Sequence, residues 1–396
     1  MGRLGQILMT ASTHHFHLSI KTEVQFGHGI RAQLLPTLNR RDLHRVGVVI
    51  DHNLLEVPII REVVESIRTQ SQKMILSVCR IMEPTYDALE EMRKDFGEQD
   101  IQAVVGIGGG SAIDMAKAMA VLVNNRLPAI DYRGFDKMTE PVLPVIAIPT
   151  TAGTGTEITP NASFIDSNQK VKMGINGEAV RPQFAFLDPE LTLSCPLKPT
   201  LSAAVDSIVH ATEAFVAKKT NPIAQFFAKE GFSQVFHNLP LLLEELGNLE
   251  YRTRVMYGAF LSGVALMHSG TGPAAALSYP LGVHYKVPHG LGGAIFLPHV
   301  VEYNIANGFY DYGLLLDESK GRDSPQSQSE MFLQRMRVLW KRIGIPQNLI
   351  EITPAVSRQV MIENTLMLKG ALDQNPVPFG VKALDEILTR LGVNKN

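Results

Sequence analysis

The first half of the chain repeats one pattern, a short β-branched run followed by a stretch whose apolar residues have helical spacing. The runs are RVGVVID (45–51), KMILSVCR (73–80) and IQAVVGIGGG (101–110), and the stretches after them are VPIIREVVESIRTQ, YDALEEMRKDF and SAIDMAKAMAVLV. A further apolar run, VLPVIAIPT, spans Val142 to Thr150. Strands separated by helices cannot pair as tight hairpins. Each needs a crossover connection, so the pattern demands a parallel sheet with helices on both faces. After FLDPELTL (186–193) the texture changes. Long helical patterns follow over 200–218, 222–246, 251–268, 328–343 and 355–370, and Pro189, Pro196 and Pro199 crowd the change. At 396 residues the chain is too long for one small core. The expected organisation is an α/β domain over 1–190 and an all-α domain over 191–396, with DESKGRDSPQSQSE (317–330) as an exposed loop.

Composition narrows the function classes. Net charge is −2 with no basic patch, which argues against nucleic acid as a partner. No stretch approaches the roughly 18 apolar residues of a membrane span, and MGRLGQILMTASTHHFHLSI lacks the apolar core of a signal peptide. Cys79 and Cys195 form no CxxC pair and read as reduced thiols, so a soluble, cytoplasmic protein is expected. His14, His15 and His17 suggest metal, but their alternation also suits a solvated N-terminal arm. No GxSxG is present for a nucleophilic serine.

Four stretches carry chemistry. VVGIGGGSAIDMAKAMA sets Gly106, Gly108, Gly109 and Gly110 between a strand and a helix, with Ser111 in the capping position. Glycines let a backbone approach a ligand, and the free N–H groups of a helix start attract phosphate. The alternative is a tight turn with close packing. Asp51 ends an earlier strand, where an acid accepts from a ribose diol and repels a 2′-phosphate, favouring NAD over NADP. IPTTAGTGTEITP (148–160) adds Thr150, Thr151 and Thr154 after another strand, at the same carboxyl edge of a parallel sheet. In TLSAAVDSIVHATEAF, Thr200 is expected to cap a helix that places Asp206 and His210 one turn apart on an apolar face. A buried carboxylate needs a cation, a metal or dense hydrogen bonding. The pair either satisfies itself in a core or ligates. His289, between Pro288 and Gly290, is expected to begin or precede a loop, as a turn residue or a ligand.

GIGGGSAIDMAKA, IPTTAGTGTEITP, LDPELTL, AVDSIVHATEAF and YPLGVHYKVPHGLGGAIFLPHVVEYN, in this order, resemble the iron-containing (group III) alcohol dehydrogenases. The resemblance runs from about Phe26 to the C-terminal NPVPF. It implies a dehydroquinate-synthase-like fold, with an α/β dinucleotide-binding domain, an all-α metal-binding domain and the active site in their cleft. It implies that Asp206, His210 and His289 ligate Fe2+ or Zn2+. Gly108, Gly109, Gly110, Ser111 and Asp114 would bind the cofactor phosphates, Asp51 the adenosine ribose and Thr150, Thr151 and Thr154 the nicotinamide side. Lys172 would lie near the cofactor. A homodimer is the family expectation.

The chain departs from the family where two histidines usually precede PLG. Those positions are Ala275 and Tyr279. Alanine cannot ligate, which leaves three outcomes: water or substrate completes the shell, His268 or His284 enters it, or metal is weak or absent. Tyr279 is either a polar catalytic group near the reacting oxygen or a wall, and a phenol with a pKa near ~10 moves protons poorly at neutral pH. The expected activity is metal-dependent hydride transfer between a primary alcohol or aldehyde and nicotinamide. GTGPAAALSYPLGVHYKVPHG is also similar to the 3-deoxy-octulosonate 8-oxidase branch, which implies a sugar-acid substrate, with Lys286 or Arg133 meeting its carboxylate. The rival readings are a carbocycle-forming lyase of the dehydroquinate-synthase type and a non-catalytic nucleotide-binding relative.

Overall fold

The computed structural model describes residues 15–81, 83–97, 99–316, 324–353 and 355–393. They form two compact units. The first comprises Ile20–Pro196 with Leu246–Met256, and the second Leu197–Glu245 with Tyr257–Asn396 and the described residues before Ile20. His14 and residues 317–323 of the expected loop lie outside the described residues. His15 and His17 are exposed and in no regular element.

The first unit is built on β1 (Glu23–Phe26), β2 (Arg45–Asp51), β3 (Lys73–Cys79), β4 (Ala103–Gly108), β5 (Gly134–Phe135), β6 (Val145–Pro149), β7 (Asn161–Asp166), β8 (Val171–Asn176) and β9 (Phe184–Leu187). Six strands make a sheet in the order β1-β9-β6-β4-β2-β3, with every pairing parallel. The alternation of β2 sorts its side chains between two cores. Val46, Val48 and Ile50 pack on one face with Ile60, Val63 and Ile67 of the helix Pro58–Gln70. Val49 packs on the other with Leu89, Met92 and Phe96 of the helix Tyr86–Phe96 and with the helix Gly110–Leu122. Chain order reverses across β2, whose neighbours are β3 on one side and β4 on the other. Ligands bind at the carboxyl end of such a switch point.

The sequence reading did not anticipate a second sheet, β5-β8-β7, whose β7–β8 hairpin covers the helix Gly110–Leu122. Two capping expectations also fail. The cap of Gly110–Leu122 is Gly109, in an extended conformation, so Ser111 lies inside the helix.

The second unit is helical. Leu197–Val216 begins three residues before Thr200, because Pro199 is tolerated in a first turn whose N–H groups have no intrahelical partner. Thr200 is therefore a buried first-turn residue and not a cap. Then follow Pro222–Glu244, the part of Leu249–Ser269 from Tyr257 onward, Pro273–Tyr285 and His289–Ala306. Pro325–Arg342 is capped by Ser324 and starts inside the expected loop. The pattern at 355–370 splits into Arg358–Leu366 and Lys369–Leu372, and Val381–Arg390 closes the set. Pro273–Tyr285 and His289–Ala306 escaped the sequence reading. Their residues are apolar on every side and buried almost throughout, so no amphipathic period marks them. His289 thus opens a helix, with Pro288 as its cap, and is not a loop residue. No helix among the described residues is long and apolar enough to cross a membrane.

Candidate active site

In the second unit Asp206, His210 and His289 come together, each offering one donor atom within 4.8 Å of the others. Helical periodicity stacks Asp206 and His210 one turn apart. His289 arrives from a different helix, and Gly290 lets it come so close. A Cβ at Gly290 would stand 2.0 Å from the Ser202 carbonyl oxygen and 2.7 Å from Asp206 Cβ. Any other residue there would push the two helices apart.

Asp206 is 3% exposed. Among the described residues no group donates a hydrogen bond to it. Its Oδ1 faces His210 Nε2 at 3.6 Å and His289 Nε2 at 3.9 Å, both beyond hydrogen-bond reach. Donors held at ~2.1 Å from one ion in a tetrahedral shell stand about 3.4 Å apart, close to these spacings. One oxygen and two imidazole nitrogens suit iron or zinc. The residues present therefore fit a divalent cation. Among the described residues no further His, Cys, Asp or Glu joins the group, so His268 and His284 stand outside it.

The helix Pro273–Tyr285 lines this cluster. Ser278 Oγ is 2.6 Å from His289 Nδ1, and the Tyr279 ring meets the His289 ring edge-on, with centroids 4.9 Å apart. Tyr279 thus packs against the His289 ring. The start of the helix is clamped by Glu213, seven residues beyond Asp206. Its carboxylate accepts from Gly272 N at 2.7 Å, Ala274 N at 2.6 Å and Thr271 Oγ1 at 2.9 Å. Burial pushes the Glu213 pKa up while these donors pull against it. The sequence reading missed Glu213 and Ser278. An acid on the face that also bears Asp206 and His210 was a readable signal for the first, whereas nothing local marked the second.

In the first unit the cofactor candidates meet at the carboxyl edge of the sheet. The register pairs Ile50 with Ile107 and Gly108 with Pro149, which brings Asp51, the glycine turn and Thr150 level. Gly108 has φ +150°, and a Cβ on it would stand 3.0 Å from Asp51 Cβ. A Cβ on Gly109 would meet Thr151 Oγ1 at 3.3 Å, and one on Gly110 would meet Thr154 Cγ2 at 2.9 Å. Thr150 N donates to Gly108 O at 2.9 Å. Glycine is thus needed here so that the turn can pack against an acid and two threonines, and the free N–H groups at the start of the helix Gly110–Leu122 are the part suited to a pyrophosphate. Asp51 Oδ1 accepts from Asn53 N at 2.9 Å and from Asn53 Nδ2 at 3.0 Å.

Asp114 and Lys172 are engaged otherwise. Asp114 accepts from Thr156 Oγ1 and, at 2.9 Å, from Ser163 N, so it ties the glycine-turn helix to the threonine loop and to β7. Lys172 Nζ is 2.5 Å from Glu83 Oε2. Lys117, which the sequence reading passed over, is wholly buried and donates to Thr156 Oγ1 at 2.7 Å, Asn161 O at 2.8 Å and Thr159 O at 3.0 Å. Burial lowers its pKa to about 8, against the pull of Asp114. Burial likewise raises the pKa of Asp114, and Lys117 opposes the rise. A lone lysine in the apolar run AIDMAKAMAVLV, three residues after an acid, was the signal for this pair.

Comparison with known proteins matches both halves of the chain to one family. The family described as iron-containing alcohol dehydrogenase matches residues 21–189, and its C-terminal domain matches residues 200–392. The NAD-dependent methanol dehydrogenase of Bacillus methanolicus is 30% identical over 329 residues, 82% of this chain and 86% of that protein. The 1,3-propanediol dehydrogenase of Citrobacter freundii is 31% identical over 304 residues, 76% of this chain and 78% of that protein. The solved alcohol dehydrogenase of Oenococcus oeni superposes with a TM-score of 0.89 at 23% identity, covering 95% of this chain and all (100%) of that one, which supports the shared fold. A three-donor cluster, a glycine turn at a sheet switch point and family matches along both halves lead to one assignment: the chain belongs to the iron-containing alcohol dehydrogenase family.

Proposed function

We propose that this protein is a metal-dependent, NAD-linked dehydrogenase that moves hydride between a primary alcohol or aldehyde and nicotinamide. The observation that carries the reading is Asp206, a carboxylate 3% exposed with no hydrogen-bond donor among the described residues, facing two imidazole nitrogens at 3.6 and 3.9 Å. Such a group is too costly to bury without a cation. In this reading Asp206, His210 and His289 hold Fe2+ or Zn2+, and three protein donors are the open pattern of catalytic sites. When bound, the cation supplies Lewis acidity to the oxygen of the alcohol or aldehyde. Gly108, Gly109 and Gly110 take the pyrophosphate on the helix start. Asp51 takes the ribose hydroxyls and repels a 2′-phosphate, and Thr150, Thr151 and Thr154 line the nicotinamide side. Tyr279 holds the His289 ring from its edge. The relatives named for methanol and 1,3-propanediol support primary alcohols as the substrate class.

A second substrate reading, a sugar acid oxidised at its terminal hydroxymethyl, rests on Ala275, whose side chain takes less room than a histidine. Arg133 is not free to meet the acid, since it pairs with Asp166 at 3.2 Å. The exposed Lys286 at the end of Pro273–Tyr285 is the remaining partner for it.

The test is reduction of NAD by the purified protein, followed by nicotinamide absorbance, over a panel of primary alcohols, polyols and sugar acids. It is run after chelation and again after reloading with Fe2+ or Zn2+. The expected result is NADH formation that chelation abolishes and metal restores, with NADP a poorer acceptor. Metal-loaded protein that turns over neither alcohols nor aldehydes would sink the reading, and substrate loss without net NADH would point to the carbocycle-forming lyase.

A further inference from the structure

Ser278 is 1% exposed, and its hydroxyl oxygen has two close neighbours, the Ala275 carbonyl oxygen at 2.6 Å and His289 Nδ1 at 2.6 Å. A hydroxyl has one proton to give and lone pairs to receive with. The carbonyl can only accept, so the proton of Ser278 points to Ala275. The lone pair then faces His289, and Nδ1 must carry the hydrogen of that second bond. An uncharged imidazole with its proton on Nδ1 has a bare Nε2. Nε2 is the atom that faces Asp206 Oδ1 at 3.9 Å.

We propose that Ser278 is a positioning residue that selects the Nδ1–H tautomer of His289 and so presents Nε2 as a ready donor. The consequence for metal rests on the reading of the cluster given above, while the tautomer itself does not. Two features hold Ser278 in place. Glu213 anchors the start of its helix through the backbone N–H groups of Gly272 and Ala274. Gly292 lies flat against it, so close that a Cβ there would stand 3.1 Å from Ser278 Cβ. His210 has no such device, since its Nδ1 is buried without a hydrogen bond among the described residues. The two imidazoles therefore differ, one set by the fold and the other by what binds it. Groups that orient a ligating histidine typically change metal affinity 10- to 100-fold when removed, so about 10-fold is the expected cost here.

The experiment uses the full chain, metal-free, with ring-15N histidine, and His289 assigned by its loss in His289→Gln. In the wild type the His289 signals should show a protonated Nδ1 and a bare Nε2. In Ser278→Ala that preference should vanish, and Zn2+ affinity, measured by competition with a chromophoric chelator, should weaken about 10-fold. A wild-type His289 protonated on Nε2 overturns the inference, and this holds even if Ser278→Ala fails to fold. Unchanged His289 signals in a folded Ser278→Ala overturn it too. Failure of the metal reading shows separately, as absence of stoichiometric Zn2+ binding by the wild type.

Discussion

Two carboxylates, one in each unit, sit in nearly dry surroundings and are treated in opposite ways. Asp114, its side chain 16% exposed, receives Thr156 Oγ1 and Ser163 N and has the Lys117 ammonium 3.8 Å from Oδ1. Asp206, more deeply buried, receives no hydrogen bond among the described residues and sees only two imidazole nitrogens. The first is an acid whose burial the fold offsets in part, with two donors and a nearby cation. The second is left uncompensated, and its cost is reasonable only where something from outside settles it. The difference teaches where to look for function: at the buried group whose partners are missing, not at the one with the most partners.

The largest expected effect breaks that comparison at Asp206. Asp206→Asn keeps the shape and removes the charge. Stoichiometric binding of Fe2+ or Zn2+ should be lost, and kcat/KM for the best alcohol should fall about 1,000-fold, the several kcal/mol that a Lewis acid contributes. The metal-free variant should unfold at no lower denaturant concentration than the wild type, because an unpaired buried charge has gone. A variant that keeps both metal and turnover would make Asp206 a structural acid after all.

The mirror-image change is Asp114→Asn. Here the expected loss is about 2 kcal/mol of stability in urea unfolding, since the two donors sit on different carboxylate oxygens, which an amide cannot both replace, and Lys117 loses the stronger of its counter-charges. Metal affinity should not move. Reversed outcomes for the two variants would erase the distinction between the acids.

How much of this was legible depends on whether the signal was local. β2 coincides with the run RVGVVID to the residue, because a strand buried on both faces is written as a continuous apolar string. Asp51 and the glycine turn were legible for the same reason, as each ends such a string. Asp206 and His210 could be paired from helical spacing alone. The approach of His289 could not, because it depends on Gly290 meeting Ser202 across two helices. The helices 273–285 and 289–306 were illegible because burial on all sides removes the polar face that betrays a helix. Ser111 and Thr200 looked like caps because their residue types are good caps. Gly109 as the cap and the tolerance of Pro199 in a first turn moved both boundaries.

A gradual effect, small per pH unit, sharpens the comparison from the side of the cation. In the fold Lys117 gives up its proton near pH 8, against 10.5 as the ordinary value, because burial outweighs Asp114. Between those two pH values the unfolded chain holds more protons than the folded one, so this group makes stability rise with pH. The slope is at most about 1.4 kcal/mol per unit, and there is none below the folded value, where both states are charged. Urea unfolding of the wild type and of Lys117→Met across this window should therefore diverge, with the wild type gaining relative to the variant as pH increases. A flat difference would mean that the three oxygens around Lys117 hold its proton as firmly as water does, and that the Asp114 site is compensated in full. A rising one would show that even the well-partnered acid rests beside a cation under strain, which leaves the two carboxylates differing in degree of compensation and not in kind.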